Sequence, residues 1–196
     1  MSFDLPTLYS LLPRSSTPTA PLPEVGTPAP PLGDIDLADS RPTLVAFVRH
    51  CGCPFAEKEI KLLGAACAAN ERLRVVVVQH SDAETTGEWF ERIGGPRAFP
   101  SPSHYTLLPD PDRVLYAAWG IGLLGWTQMV NGSIMSALKA LKDNEGIDLG
   151  PTGKGSWRWQ NSGGFAVDGQ GRVRWRKVAG DSSDVCDYAQ AARTVV

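Results

Sequence analysis

Two cysteines, Cys51 and Cys53, directly follow a run of apolar residues and precede a stretch with helical spacing. The segment 43–56 has the pattern of a buried strand that ends at the cysteines and turns straight into a helix. A cysteine at the start of a helix lies where free backbone N–H groups and the helix dipole favour the thiolate, the reactive form of a thiol nucleophile. Ala56 stands where a Cys-x-x-Cys pair has its second sulfur, so the sequence lacks the usual dithiol pair.

The residues around Cys53 suggest how its thiolate would be supported. Arg49 and His50 precede the cysteines and offer a positive charge or a hydrogen-bond donor. A disulfide between Cys51 and Cys53 would be a strained small ring that is easily reduced, which suits thiol exchange; a small residue at a strand end is the alternative reading of Cys51. We therefore name Cys53, Cys51, His50 and Arg49 as candidate catalytic residues.

The elements that must position these residues alternate along the chain. Predicted strands cover 43–50, 74–80, 105–108, 164–168 and 172–178, and predicted helices cover 56–69, 85–93, 114–119, 133–142 and 184–193. This order predicts an α/β, thioredoxin-like fold with a mixed central sheet flanked by helices, its first strands parallel and its last two antiparallel. Because sites lie beyond the carboxyl ends of parallel strands, we expect His80 and Asp82 near Cys53, with His80 as a substrate-binding candidate; solvated loop residues are the alternative.

Composition narrows the class of protein. The chain has 196 residues, a net charge of −2 and 16 prolines, eight of which fall between Pro6 and Pro31. We predict a proline-rich arm over 1–40 and one domain over 41–196. The charge does not favour nucleic acid or an anionic membrane. The start has no secretory pattern and the longest apolar run, 114–130, is interrupted by glycines. Four cysteines then indicate a reducing compartment, and we predict a cytoplasmic location.

Four segments, in order, resemble the peroxiredoxin-like proteins of the AhpC/TSA group, in particular their selenoprotein-U-like and fungal thioredoxin-fold branch. The segments are 44–50 with Cys53-Pro54-Phe55, 77–82 with Trp89, 109–113 with Tyr116 and Trp119-Gly120, and 162–168. The resemblance spans about residues 25 to 190. It implies a thioredoxin-like fold, reduction of a peroxide or a disulfide through Cys53, and a thiol reductant of the glutathione or thioredoxin type.

The chain departs from that family at three positions. Peroxiredoxins carry Pro-x-x-x-Thr/Ser-x-x-Cys, and alignment on Cys53 puts Ala46 at the proline and His50 at the Thr/Ser. The family's arginine before the last hairpin aligns with Ser162. Arg49 and His50 are chemically able to take over the lost roles.

The leading hypothesis is therefore a thiol-dependent redox protein without metal or cofactor. Resolution of an oxidised Cys53 is assigned to Cys51, to Cys186 or to an external thiol, with helix packing as the alternative for Cys186. A second hypothesis is a thioredoxin fold without peroxidase chemistry that binds or transforms a small apolar metabolite beside Trp119 and Trp126, for which core packing is the alternative. An interaction protein that uses the proline-rich arm is a third, and a homodimer is left open.

Overall fold

A five-stranded mixed sheet forms the centre of the protein. The computed structural model describes residues 9–12 and 17–195. The strands are β1 (Thr43–Phe47), β2 (Arg74–Gln79), β3 (Tyr105–Pro109), β4 (Gly163–Val167) and β5 (Val173–Val178). Their order is β3-β2-β1-β4-β5; β1, β2 and β3 are parallel, and β4 and β5 are antiparallel to their neighbours. The prediction of an α/β, thioredoxin-like fold with a mixed sheet is confirmed.

The helices largely follow the predicted order. They are α1 (Pro54–Ala69), α2 (Ala83–Arg92), α3 (Gly95–Ala98), α4 (Val114–Ala118), α5 (Trp126–Met129), α6 (Gly132–Glu145) and α7 (Tyr188–Arg193), with a 3₁₀ turn at Pro102–His104. The sequence did not predict α3, α5 or the 3₁₀ turn, since segments of three or four residues show no helical period. The last helix starts at Tyr188 rather than at 184, because the Asp187 side chain caps it by accepting from Gln190 N–H at 2.8 Å.

Two apolar layers enclose the sheet. Successive residues of β1 point to opposite faces, so Leu44 and Ala46 pack with α1 and α7, whereas Val45 and Phe47 pack on the α4 side. Among the residues that the structure describes, none of the helices is both long and apolar enough to cross a lipid bilayer.

Residues 17–40 of the proline-rich arm lie on the α4 side. Gly26 N–H donates to the Val173 carbonyl at 2.7 Å, and Trp119 Nε1–H donates to the Pro31 carbonyl at 3.1 Å. Segment 17–40 therefore packs on the domain's own core, while the boundary at residue 40 stays a prediction.

A carboxyl group is buried in the layer that α1 and α7 form on the other face of the sheet. Glu59 of α1 is 2% exposed, and its Oε1 accepts from Tyr188 OH at 3.3 Å and from Cys186 N–H at 3.4 Å. Burial raises the pKa of Glu59 from its ordinary 4.5 to about 8, although these hydrogen bonds oppose the shift. The folded protein thus holds a neutral Glu59 near neutral pH.

This burial predicts how stability depends on pH. The folded state keeps a proton on Glu59 that the unfolded chain releases, so the free energy of unfolding falls as the pH rises between about 4.5 and about 8. We expect this carboxyl to contribute a slope of about −1.4 kcal/mol per pH unit, which Glu59→Gln removes. Urea denaturation of both proteins across this pH range measures the difference; parallel pH profiles would contradict the assignment.

Candidate active site

Cys53 begins helix α1 at the carboxyl end of β1. It is the N-cap residue, with φ −76° and ψ 124°, and Pro54 follows at the first helical position. The Cys53 side chain is 5% exposed, and its N–H donates to the His50 carbonyl at 3.0 Å. The predicted placement of this cysteine at a strand-to-helix turn therefore agrees with the geometry.

The turn before Cys53 requires a glycine. Gly52 has φ +89°, and a Cβ on this residue would lie 2.4 Å from the Pro151 carbonyl oxygen. Gly150 N–H donates to the Gly52 carbonyl at 3.0 Å. The segment around residue 150 is thereby held against the cysteine turn.

Cys53 lines a largely apolar cavity of about 200 Å³, which we call the apolar cavity. Its polar members are Arg49, His50, Cys53, Arg158 and Ser182, and its apolar members are Leu11, Pro54, Phe55, Met129, Val130, Ile134, Met135, Leu138 and Leu149. The lining of a mostly apolar space thus includes a cysteine, two arginines and a histidine.

Arg49 is buried in the wall of the apolar cavity, and two of its N–H donor nitrogens are unpaired. It is 4% exposed, and one Nη donates to the Arg158 carbonyl at 2.7 Å. Its Nε and its other Nη are buried and have no hydrogen-bond partner among the described residues. No carboxylate of the described chain forms an ion pair with it. A buried cation with unused donors is costly, and an anion or a developing oxyanion in the cavity would relieve that cost.

His50 is a neutral base rather than a cation. Its Nδ1 lies 3.0 Å from the Cys51 carbonyl oxygen, which only accepts, so Nδ1 carries the proton and Nε2 is left as an acceptor. Burial, and then the charges of Arg49 and Arg158, hold the pKa of His50 well below 6.5. Of the two roles named for His50 from the sequence, a positive charge or a hydrogen-bond donor, burial disfavours the positive charge, while a role in proton transfer stays available.

Cys51 lies apart from the apolar cavity. Its Sγ is 3.7 Å from Ser81 Oγ, which is 2.9 Å from Ser156 Oγ. Burial raises the pKa of Cys51 to about 11, so it is a protonated thiol at neutral pH. The proximity of Cys51 to Ser81 agrees with the prediction that the ends of β1 and β2 share an edge, but the burial of its thiol does not suit a nucleophile.

Cys186 belongs to the core beside Glu59. It is 1% exposed, and a Cβ on Gly164 of β4 would lie 3.0 Å from its Sγ. Burial, and then the charge of Glu59, raise its pKa well above 9. The packing alternative suits Cys186 better than the resolving role, because neither cavity that Cys53 lines includes it.

The polar residues after β2 hold the backbone rather than a substrate. His80 is fully buried, and its Nε2 accepts from Trp157 N–H at 3.0 Å. Asp82 caps α2, because its Oδ1 accepts from Thr85 N–H at 2.8 Å. Neither lines the apolar cavity, so the expectation that His80 faces Cys53 is not met.

The two tryptophans expected to form a ligand pocket do not meet. Trp119 is fully buried between Phe47 and Phe165, whereas Trp126 is 74% exposed and packs edge-on against Trp159, with ring centres 4.6 Å apart. Neither residue lines any of the five main cavities of the described residues. A cavity of about 330 Å³ does lie in the Trp/Gly-rich region, but Gly122, Leu123 and Trp157 line it rather than Trp119 or Trp126.

Sequence reasoning missed Arg158 and a segment that contributes Leu11 to the cavity lining. Residues 9–12, which we call the strap, are bonded to residues 157–159 through the backbone carbonyls of Ser10, Leu11 and Leu12. Arg158 N–H donates to Ser10 at 3.1 Å, Trp159 Nε1–H to Leu11 at 3.1 Å and Trp157 Nε1–H to Leu12 at 2.9 Å. A cluster of tryptophans around one arginine was the only sequence signal of this contact.

Solved structures support the fold. A peroxiredoxin-like protein from Aquifex aeolicus has a TM-score of 0.60 and 15% identity over 91% of this chain and 89% of that one. A thiol peroxidase from Chromobacterium violaceum scores 0.54 with 10% identity over the same shares, and the peroxidoxin BcpB from Mycobacterium tuberculosis scores 0.50 with 15% identity over 81% and 80%. A scan against models of protein families and a search of curated proteins found no match. At these identities the likeness is one of fold.

The geometry predicts which thiol reacts first. Near pH 7 we expect iodoacetamide to alkylate Cys53 at least about tenfold faster than any other cysteine, because each unit by which a pKa is raised removes tenfold of the thiolate. Burial raises the pKa of Cys51 and Cys67 to about 11 and that of Cys186 further. Peptide mass spectrometry after timed labelling measures the four rates. Labelling of Cys51 ahead of Cys53 would contradict this assignment.

The hydrogen bond between Trp159 and the strap leads to a second prediction about the rate at which Cys53 is alkylated. Trp159→Phe keeps an aromatic ring but removes the N–H bond to Leu11, so the strap should open more often. A loss of about 1 kcal/mol corresponds to about fivefold faster alkylation of Cys53. Trp126→Phe is the matched control. Trp126 packs against the ring of Trp159, but it has no hydrogen bond to the strap among the described residues. Equal rates in wild type and Trp159→Phe would show that the strap does not limit access.

Proposed function

We propose that this protein reduces hydroperoxides through Cys53, as a peroxiredoxin-like protein of the AhpC/TSA group. The observation that carries the proposal is that Arg49, in the lining of the cavity that Cys53 also lines, has two N–H donors, Nε and one Nη, without a partner among the described residues. The names of the structural neighbours, which include a thiol peroxidase and a peroxidoxin, support it. The selenoprotein-U-like and fungal branch is the part of that group which the sequence segments resemble.

The reaction follows from the groups at the cavity. His50 Nε2 accepts the proton of the Cys53 thiol, and the helix start stabilises the thiolate. The thiolate attacks the terminal oxygen of ROOH; an S–O bond forms, the O–O bond breaks, and the sulfur keeps the hydroxyl as Cys53–SOH. The RO⁻ that leaves takes the proton from His50 and departs as ROH.

Arg49 supplies the electrostatic part of this step. Negative charge moves from sulfur to the leaving oxygen during the attack, and the free Nε–H and Nη–H groups of Arg49 are donors already held in a dry wall. This arrangement takes the place of the Thr/Ser and arginine that the family uses, since Ser162 stands at the arginine position and is buried beside Asn161 instead.

The apolar wall favours a hydroperoxide with an organic tail. Four of the nine apolar residues in the lining belong to α5 and α6, among them Met129, Ile134 and Leu138. Burial of a tail there contributes about 0.8 kcal/mol per CH₂ group. The cavity therefore suits an alkyl hydroperoxide better than hydrogen peroxide.

The same cavity also suits the second hypothesis, in which the protein binds a small apolar molecule and has no peroxidase chemistry. A small apolar molecule with a carboxylate would also fill it and pair with Arg49. Such a ligand would protect Cys53 from alkylation without being changed, whereas a hydroperoxide is consumed and leaves Cys53 oxidised.

Two substitutions test the peroxidase proposal. We expect Cys53→Ser to abolish consumption of tert-butyl hydroperoxide, and Arg49→Lys, which keeps the charge but not the donor fork, to lower kcat/KM by about 100-fold. Cys67→Ala, a change of a core thiol on the same helix, is the control. The measurements are stopped-flow peroxide consumption and trapping of the sulfenate by dimedone. Consumption by Cys53→Ser at the wild-type rate would overturn the proposal.

A further inference from the structure

Cys53 also lines a second cavity, of about 300 Å³. Asp148 and Gly150 line this cavity and Leu149 lines the apolar cavity, so the segment 148–150 lies between the two spaces. The wall of the second cavity also includes Trp89, Arg92 and Arg97, and we call it the arginine cavity. Cys53 is therefore part of the lining of two chemically different spaces.

The two arginines of the arginine cavity have no ion-pair partner among the described residues. Arg92 ends α2 and Arg97 lies in α3. Neither forms an ion pair with a carboxylate of the described chain. Guanidinium groups bind carboxylates through parallel N–H donors, so two free ones at one cavity favour an anionic ligand.

The carboxylates in the same wall are already engaged. Glu57 pairs with Lys61 at 2.9 Å, and Asp148 pairs with Lys142 at 2.5 Å. Each has a lysine that neutralises it, and neither is bonded to Arg92 or Arg97. Arg92 and Arg97 are exposed, and their guanidinium groups have no ion-pair partner in the described chain, so both are accessible to an anionic ligand.

Trp89 provides an independent sign of a polar ligand. Its side chain is 1% exposed, and its indole N–H is buried without a hydrogen-bond partner in the described chain. A buried unpaired donor is costly, and a ligand oxygen that reached the indole N–H from the cavity would remove that cost.

An oxidised Cys53 also needs a thiol from outside this chain. The Sγ of Cys51 lies against Ser81, and Cys67 and Cys186 are buried in the core. None of these three cysteines lines either cavity that Cys53 lines. The resolving thiol therefore comes from a molecule that reaches Cys53 through a cavity.

We infer that the arginine cavity binds a small thiol that carries a carboxylate, and that this thiol reduces Cys53 from the side opposite the hydroperoxide. The inference rests on the proposed function for the formation of Cys53–SOH. The thiol RSH forms the S–S bond of Cys53–S–S–R and the sulfenic hydroxyl leaves as water. A second RSH then attacks the sulfur of R, which gives RSSR and returns Cys53–SH.

A thiol-exchange experiment tests the cavity without any peroxide. Cys53 is converted to its mixed disulfide with 2-thiopyridine, a neutral group, and the single adduct is verified by mass spectrometry. Release of pyridine thione is then followed with 3-mercaptopropionate, 2-mercaptoethanol and cysteamine, which are anionic, neutral and cationic thiols of similar size. At low salt and equal thiolate concentration, we expect the anionic thiol to react about tenfold faster than the neutral one, and cysteamine to be slowest.

Charge variants then assign the preference to this cavity. The double variant Arg92→Gln Arg97→Gln should bring the three rates to within about twofold, while Arg193→Gln, an exposed arginine at the end of α7, should leave the preference unchanged. Equal rates for the three thiols in wild type, or an unchanged preference in the double variant, would overturn the inference. A preserved preference in a protein that consumes no peroxide would instead overturn the proposed function alone.

Discussion

The backbone of Gly52 lies against the carbonyl groups of Gly150 and Pro151, closer than any side chain would permit. This contact fixes the turn between β1 and α1, and so it fixes where Cys53 begins the helix. It also fixes the segment 148–150, which separates the apolar cavity from the arginine cavity. A residue with a Cβ at position 52 would push the two apart and merge the spaces that the cysteine now faces separately.

The positive charges around Cys53 are not balanced by carboxylates of the described chain. Arg49 on one side of Cys53 and Arg92 and Arg97 on the other have donors or charges that no carboxylate of the described chain neutralises. Burying the charged side chain of Arg49 without a carboxylate partner costs free energy that the rest of the fold has to offset. A side chain that served only for packing would not need this charge. The imidazole of His50 adds no charge, because the neighbouring guanidinium groups and burial keep it neutral.

The sequence predicted the sheet, its order of strand directions and the place of Cys53, because buried β-branched runs and a proline after the cysteine leave few alternatives. It also predicted that Arg49 and His50 would be near Cys53, since they are neighbours in the chain. It could not predict which side chains turn inward after the strand: Cys51 turns to Ser81, and His80 bonds to Trp157. Arg158 and Leu11 reach the apolar cavity through contacts between distant parts of the chain, for which a single sequence carries no periodic signal.

The strap joins residues 11 and 12 to residues 159 and 157, at sequence separations of 148 and 145. Contacts of such separation close a very large loop, and ordering that loop costs chain entropy. Tyr9 and Leu12 are more than half exposed and give the strap little apolar anchorage of its own. Access to Cys53 from the apolar cavity, where Leu11 contributes to the lining, therefore depends on a segment that is able to open locally while the sheet stays folded, whereas the arginine cavity has no strap residue in its lining.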